Sequence, residues 1–171
     1  MRRRPDAAGW QSLGVYRLKA GRPGPALDAL RRAAASAPDD PSIRLDLGYA
    51  QLALRAWDDA AASFRAAGEA PALRARALSG LGEAAKGAGR IGESAALFEN
   101  ALALDPWNGR AVELLAADDV LLGKEAEALK VYDAMLSRLD ALPSPPPADT
   151  PLGSLGAELR RRRDALASRR R

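Results

Sequence analysis

The chain contains no cysteine and no histidine. The first absence excludes disulfides, thiolate metal sites and cysteine nucleophiles. The second removes the commonest general base and the commonest metal ligand. Aromatic residues are scarce, at 5% of 171 residues, so alanine and leucine must fill most of any interior. No apolar run approaches the roughly 20 residues that span a bilayer. Met1–Pro5 is basic, but no apolar stretch follows it, and no secretory signal is expected there. These absences argue against most enzymes, and neither a cofactor nor a bound metal is expected. What is present is ordinary for a soluble chain, 47% hydrophobic and 28% charged. The length fits one or at most two domains with a core.

Charge is unevenly placed. Residues 1–142 hold 19 basic and 19 acidic side chains, whereas residues 143–171 hold seven arginines against Asp149, Glu158 and Asp164. The whole excess of +4 therefore lies in the tail. A basic tail points to nucleic acid, an anionic membrane surface or an acidic partner, or serves only to solubilise the end.

A period of 34 runs through the rest. Leu13, Leu47, Leu81 and Leu115 are 34 apart. Gly14, Gly48 and Gly82 follow directly behind, with Ala116 fourth, and then come Leu30, Phe64, Phe98 and Tyr132. Ala33, Ala67 and Ala101 continue the pattern, with Met135 in the last copy. Pro38, Pro71 and Pro106 punctuate the copies, and Gly21, Gly89 and Gly123 mark a turn inside three of them, with Arg55 in the second. Four copies fit at 7–40, 41–74, 75–108 and 109–142 without insertions.

These residues resemble the tetratricopeptide repeat, W-x2-L-G-x2-Y, then A-x3-F, then A, then P. The first copy reads Trp10, Leu13, Gly14, Ala26, Leu30, Ala33, Pro38. The aromatic expected at the eleventh repeat position is replaced by Arg17, Gln51, Ala85 and Asp119, and the early tryptophan of the other copies by Arg44, Leu78 and Val112. The resemblance implies an all-α, right-handed α-solenoid of stacked helix-turn-helix repeats over residues 1–142, followed by a C-terminal helix.

The residues support helices on their own terms. Each copy has two apolar stretches broken by a turn signal. Glycine inside a helix costs about 1 kcal/mol against alanine, so Gly14, Gly48 and Gly82 at one phase imply close approach of a neighbouring helix. Asp40-Pro41 and Asp105-Pro106 read as helix starts. Ile43, Leu45, Leu47 and Tyr49 alternate with polar residues or glycine as in a strand, but the repeat phase makes this segment a helix.

The resemblance also implies ligand contacts on the first helix of each copy, at repeat positions two, five, nine, twelve and thirteen. Those are Gln11, Val15, Leu18 and Lys19; Ser42, Leu45, Tyr49 and Leu52; Arg76, Ser79, Glu83 and Lys86; Arg110, Glu113 and Val120. The expected groove is apolar at its N-terminal end and charged at its C-terminal end, which suits an amphipathic helix or extended peptide. Leu18, Leu45 and Leu52 have the alternative of burial between helices. Relatives that clamp a chaperone's C-terminal carboxylate use lysine and asparagine where this chain has Gln11, Val15 and Asp46, so that specific function is rejected.

Catalytic readings fail on the residues available. Ser79 and Ser94 have no histidine to activate them, and Lys86 has no phosphate-cradling loop before it. Asp39-Asp40 and Asp58-Asp59 fall near helix starts, where carboxylates favour the positive end of the helix dipole. Asp118-Asp119 lies late in a helix, and an ion pair with the tail arginines is one explanation. Trp57 and Trp107 each serve either as a staple against a neighbouring repeat or as a partner contact.

Residues 143–151 hold five prolines and read as an extended linker. Residues 152–171 read as a basic helix: Leu152, Leu155, Leu159 and Leu166 recur on one face, and Arg160, Arg161, Arg162, Arg163, Arg169, Arg170 and Arg171 occupy the rest. The segment is either a solvating cap on the last repeat or a mobile basic arm. The expectation is a cytoplasmic, non-catalytic scaffold that binds another protein, as a peptide or amphipathic helix, in its groove. Two alternatives stand beside it: a client chaperone shielding an apolar segment, and nucleic-acid or anionic-membrane binding through the tail.

Overall fold

The computed structural model describes residues 6–144, 146 and 150–169; Arg170, Arg171 and much of the proline-rich stretch lie outside the described residues. Every regular element among the described residues is helical. Helices α1 (Ala7–Lys19) and α2 (Pro23–Ser36) form a first pair, α3 (Pro41–Ala53) and α4 (Trp57–Gly68) a second. A short 3-10 turn, Pro71–Leu73, leads into α5 (Arg74–Gly87) and α6 (Ile91–Leu104). Then come α7 (Gly109–Leu121), α8 (Glu125–Asp140) and α9 (Pro151–Ser168). The chain divides into two compact units, Met1–Leu97 and Phe98–Arg171, with the division inside α6.

One backbone device closes the turn within each of the four pairs. Gly21, Arg55, Gly89 and Gly123 are left-handed, with φ of 69°, 60°, 79° and 72°. The amide after each reaches back five residues: Arg22 to the Arg17 carbonyl, Ala56 to Gln51, Arg90 to Ala85 and Lys124 to Asp119, at 2.7–2.9 Å. This is a Schellman cap, and it satisfies carbonyls that the helix end leaves open. The helix starts are more varied. Asp6 accepts from the Gly9 amide at 2.8 Å and Asp40 from the Ser42 amide at 2.8 Å. The Asp105-Pro106 expectation is corrected: α7 begins three residues later, capped by Asn108, which accepts from Ala111 N at 3.0 Å. Asp105 instead accepts from the Trp107 amide and shapes the turn.

In the first unit α2 packs on α1 and α3, and α4 on α3 and α5; α3 also touches α1 and α5. Being flanked by four helices, α3 buries Ile43, Leu45 and Leu47 together, which accounts for their strand-like alternation. The Phe64 ring fills the space between α3, α4 and α5, and burial of one such side chain stabilises by about 1.5–3 kcal/mol. A Cβ on Gly48 would stand 2.6 Å from that ring, and one on Gly14 2.5 Å from Leu30 Cγ. The repeated small residue is therefore the seat of the repeated large one. Trp57, at the start of α4, lies on Gly87 of α5, where a Cβ would meet the indole at 2.7 Å; it staples neighbouring repeats.

Two of the polar substitutes at the eleventh repeat position, Arg17 and Gln51, turn toward the second helix of their own pair. Arg17 donates to the Pro25 carbonyl at 2.9 Å. The Gln51 side-chain amide and the Ser63 hydroxyl of α4 hydrogen-bond at 2.6 Å.

In the second unit α8 packs on α7 and α9. Leu159 of α9 is wholly buried in a cluster with Val112, Tyr132, Met135, Leu136 and Leu139. Leu155 covers Gly109, where a Cβ would be 2.3 Å from Leu155 Cδ2. Thr150 caps α9, its hydroxyl accepting from the Gly153 amide at 3.1 Å.

Candidate functional site

In the first unit α1, α3 and α5, the first helices of their pairs, adjoin one another and bring five of the fifteen expected contact residues, Gln11, Ser42, Tyr49, Arg76 and Glu83, onto one polar seam. Gln11 of α1 donates from Nε2 to Ser42 Oγ at 3.0 Å and to Asp46 Oδ2 at 2.8 Å, both on α3. Arg76 of α5 reaches the other side of the same helix. Its guanidinium donates to the Tyr49 hydroxyl and lies near the Asp46 carboxylate. Glu83 stands close enough to act on the Tyr49 hydroxyl as well. The Tyr49 ring is fixed from below, edge-on to Phe64 with centroids 5.1 Å apart.

The electrostatics follow from partial burial. Desolvation pushes the Asp46 carboxyl above its usual range, while the Gln11 bond and the Arg76 charge pull it partly back. Burial likewise raises the Tyr49 hydroxyl, with Arg76 opposing. The seam thus holds one exposed guanidinium and one half-buried tyrosine in fixed register, with carboxylates that limit its net charge.

The other expected contact residues are distributed differently. Val15 is half-buried on α1 and Lys19 is exposed in its last turn. Lys86 is half-buried on α5. Leu45, expected on the groove, is 2% exposed and belongs to the Phe64 cluster, because α3 has helices on several sides. Ser79 is buried too. Leu18 packs on the cluster of Leu30 and Ile43, and Leu52 on that of Phe64. Ser94 is fully buried and donates to the Gly82 carbonyl at 2.9 Å, joining α6 to α5.

Arg110 and Glu113 belong to the second unit, on α7, and pair at 4.0 Å. There Arg162 of α9 is the centre of a second polar group. It bonds Glu158 at 2.6 Å, donates to the Tyr132 hydroxyl and lies near Glu113. The Glu158 bond comes first in raising the guanidinium pKa. The neighbouring tail arginines also fold onto the chain's own carboxylates: Arg160 on Asp140, Arg161 on Glu158, and Arg163 on Asp164 and, at 3.3 Å, on Asp133. Asp118 and Asp119 are buried, and the first charge that offsets the burial of Asp119 is Lys124, not a tail arginine. Among the described residues no group of three acidic side chains is placed to hold a metal ion, and no helix is long and apolar enough to cross a membrane.

Two of these relationships lay outside the expected contact set. The Gln11–Asp46 bond spans 35 residues, so adjacent phases of successive copies signal it. The Arg162 hub has no periodic signal, because α9 lies outside the repeats.

The fold is shared with solved structures. MamA superposes with a TM-score of 0.70 at 19% identity, covering 78% of each chain. MamA MSR-1 gives 0.64 at 26% identity, covering 80% of this chain and 78% of that one. The second TPR domain of human RPAP3, solved in complex with an HSP70 peptide, gives 0.60 at 22% identity, covering 66% of this chain and 94% of that one. No protein-family profile and no curated protein matches the chain.

Proposed function

We propose that the chain, which shares its fold with tetratricopeptide-repeat structures, is a non-catalytic scaffold whose α1–α3–α5 face binds a segment of another protein. The observation that carries this reading is the Tyr49–Arg76 bond across α3 and α5. It holds an exposed guanidinium beside an aromatic ring that is itself locked on Phe64, so little side-chain entropy remains to be lost when a partner arrives. Lys19 and Lys86 extend the basic character along the same helices. An extended peptide or helix with a carboxylate near an apolar side chain matches that arrangement. The RPAP3 domain's peptide complex is a precedent for a peptide partner in this fold. The mismatch at Gln11, Val15 and Asp46 separates this face from the chaperone-tail clamp. A cytoplasmic setting belongs to the same reading.

Binding of nucleic acid or lipid through the tail is less well supported. Arg160, Arg161, Arg162 and Arg163 each lie against an acidic side chain of this chain. Exposed pairs of this kind contribute only about 0–1 kcal/mol each, but they spend the first cationic contacts internally.

Crosslinking pull-down from native lysate tests the proposal, comparing the full chain with an Arg76→Ala, Lys86→Ala variant. Loss of the principal partner from the variant, with helicity unchanged, is expected. Retention of that partner overturns the assignment of this face.

A further inference from the structure

The second unit contains a recess that the α1–α3–α5 reading does not use. It lies among α7, α8 and α9, with a volume of about 460 Å³. Val120 and Leu121 of α7, Tyr132 of α8 and Leu166 of α9 form its apolar walls, and Arg162 of α9 and Arg169, which caps the end of α9, also line it. Leu121 is 66% exposed, a large aliphatic side chain turned to water on the wall of a concave site. The two arginines differ. Arg162 is held by Glu158, Tyr132 and the nearby Glu113. Arg169, at the C-terminal end of α9, makes no ion pair among the described residues, and Arg170 and Arg171 follow it in sequence. The recess therefore joins an apolar floor to one edge cation, Arg169, that no carboxylate of the described residues pairs.

We propose that this recess is a docking site for an acidic, amphipathic segment of a partner protein. One large aliphatic or aromatic side chain seats against Leu121, Val120 and Leu166, and a carboxylate within about one helical turn of it pairs with Arg169. Charge complementarity selects this occupant: a basic segment meets Arg169 with repulsion, and a purely apolar one leaves the rim cation unused. A lipid surface fits less well, because the apolar surface is a recess and the adjacent arginines of α9 are turned onto Asp140, Glu158 and Asp133. The site is built from different residues from the α1–α3–α5 face and stands independently of it.

The test is selection of peptides from a random dodecapeptide display library on the full-length chain, followed by affinity measurement with fluorescein-labelled winners. Three variants are compared: Leu121→Asp, Arg169→Glu, and the Arg76→Ala, Lys86→Ala pair. Leu121 and Arg169 are exposed, so their replacement leaves the fold intact, and circular dichroism checks this. The expected winners carry Leu, Ile, Met or Phe close to Asp or Glu. Their affinity falls about ten-fold in Leu121→Asp, the loss expected for one apolar anchor. It falls about three-fold or more in Arg169→Glu, by a factor that shrinks as salt screens the pair. It is unchanged in the Arg76→Ala, Lys86→Ala pair, so failure here is distinguishable from failure of the other face. The proposal is overturned by winners rich in Lys or Arg, by winners insensitive to both substitutions, or by the absence of winners. Phosphatidylserine vesicles whose binding alone depends on Leu121 and Arg169, or a dimer that Leu121→Asp dissociates, would equally assign the recess to a different occupant.

Discussion

Gly80 of α5 lies directly against the Phe64 ring of α4: a Cβ at Gly80 would stand 2.5 Å from ring atom Cε1. Gly48 of α3 meets the same ring from its own repeat. One aromatic side chain thus sets the spacing of three helices, and a methyl group on either glycine must displace it.

Gly80→Ala is therefore expected to destabilise the chain. Alanine gains about 1 kcal/mol in helix propensity, but overpacking a rigid ring costs about 1–3 kcal/mol, and Phe64 has no room to retreat. Gly92→Ala is the control, since nothing lies within 4 Å of a Cβ there; it should raise the midpoint of urea unfolding. Placing Gly80→Ala in a Phe64→Leu background should recover part of the loss. Equal midpoint shifts for Gly80→Ala and Gly92→Ala would refute the contact.

Arg55 holds φ of 60° where the other three copies have glycine. A left-handed non-glycine residue costs about 1–2 kcal/mol, part of which is returned by the lower chain entropy of its unfolded state. Arg55→Gly should raise stability by about 0.5–1 kcal/mol, read as a higher denaturant midpoint at unchanged slope. A lower midpoint would mean that the Arg55 side chain contributes more than its backbone strain removes.

The raised pKa of Asp46, caused first by burial, gives stability a sign with pH. A carboxyl whose folded pKa exceeds its unfolded one binds its proton more tightly in the folded chain. Its contribution is fully present below the ordinary value of 3.8 and is lost as pH rises through the raised folded value. Asp119, also raised by burial, acts in the same direction, while Asp40, lowered by the Ser42 hydroxyl, opposes. Asp46→Asn should flatten the fall in unfolding free energy over the window above 3.8, measured by urea unfolding at closely spaced pH. An unchanged slope would show that Asp46 titrates alike in both states.

Leu159 anchors α9 in the second unit. Leu159→Ala should cost about 2–5 kcal/mol, as for other buried leucines, and amide exchange in α8 and α9 should report it. Arg161→Ala, at an exposed pair with Glu158, should change stability by less than about 1 kcal/mol.

The helix pairs were legible because the contact between Gly14 and Leu30, and between Gly48 and Phe64, recurs at a fixed phase and leaves a fixed trace in composition. The helix turns were legible for the same reason, even at Arg55, where only the spacing marks the position. The candidate face was legible in part. Tyr49 and Leu45 sit one turn apart on α3, and only the packing of α4 and α5 decides that Tyr49 reaches the seam while Leu45 enters the core. The start of α7 was misread because Asp105-Pro106 offers the same cap chemistry as Asp40-Pro41, and the competing Asn108 cap leaves no stronger signal. The recess beside Leu121 was invisible, since α9 reaches α8 across a proline-rich stretch that no periodicity bridges.

The left-handed residues at 21, 55, 89 and 123 give the reversal inside each pair the same backbone closure. Tandem duplication of a coding segment one repeat long would copy a complete joint along with its two helices, so the array can grow or shrink by whole modules. Substitutions can then individualise each module's surface without redrawing its hinge.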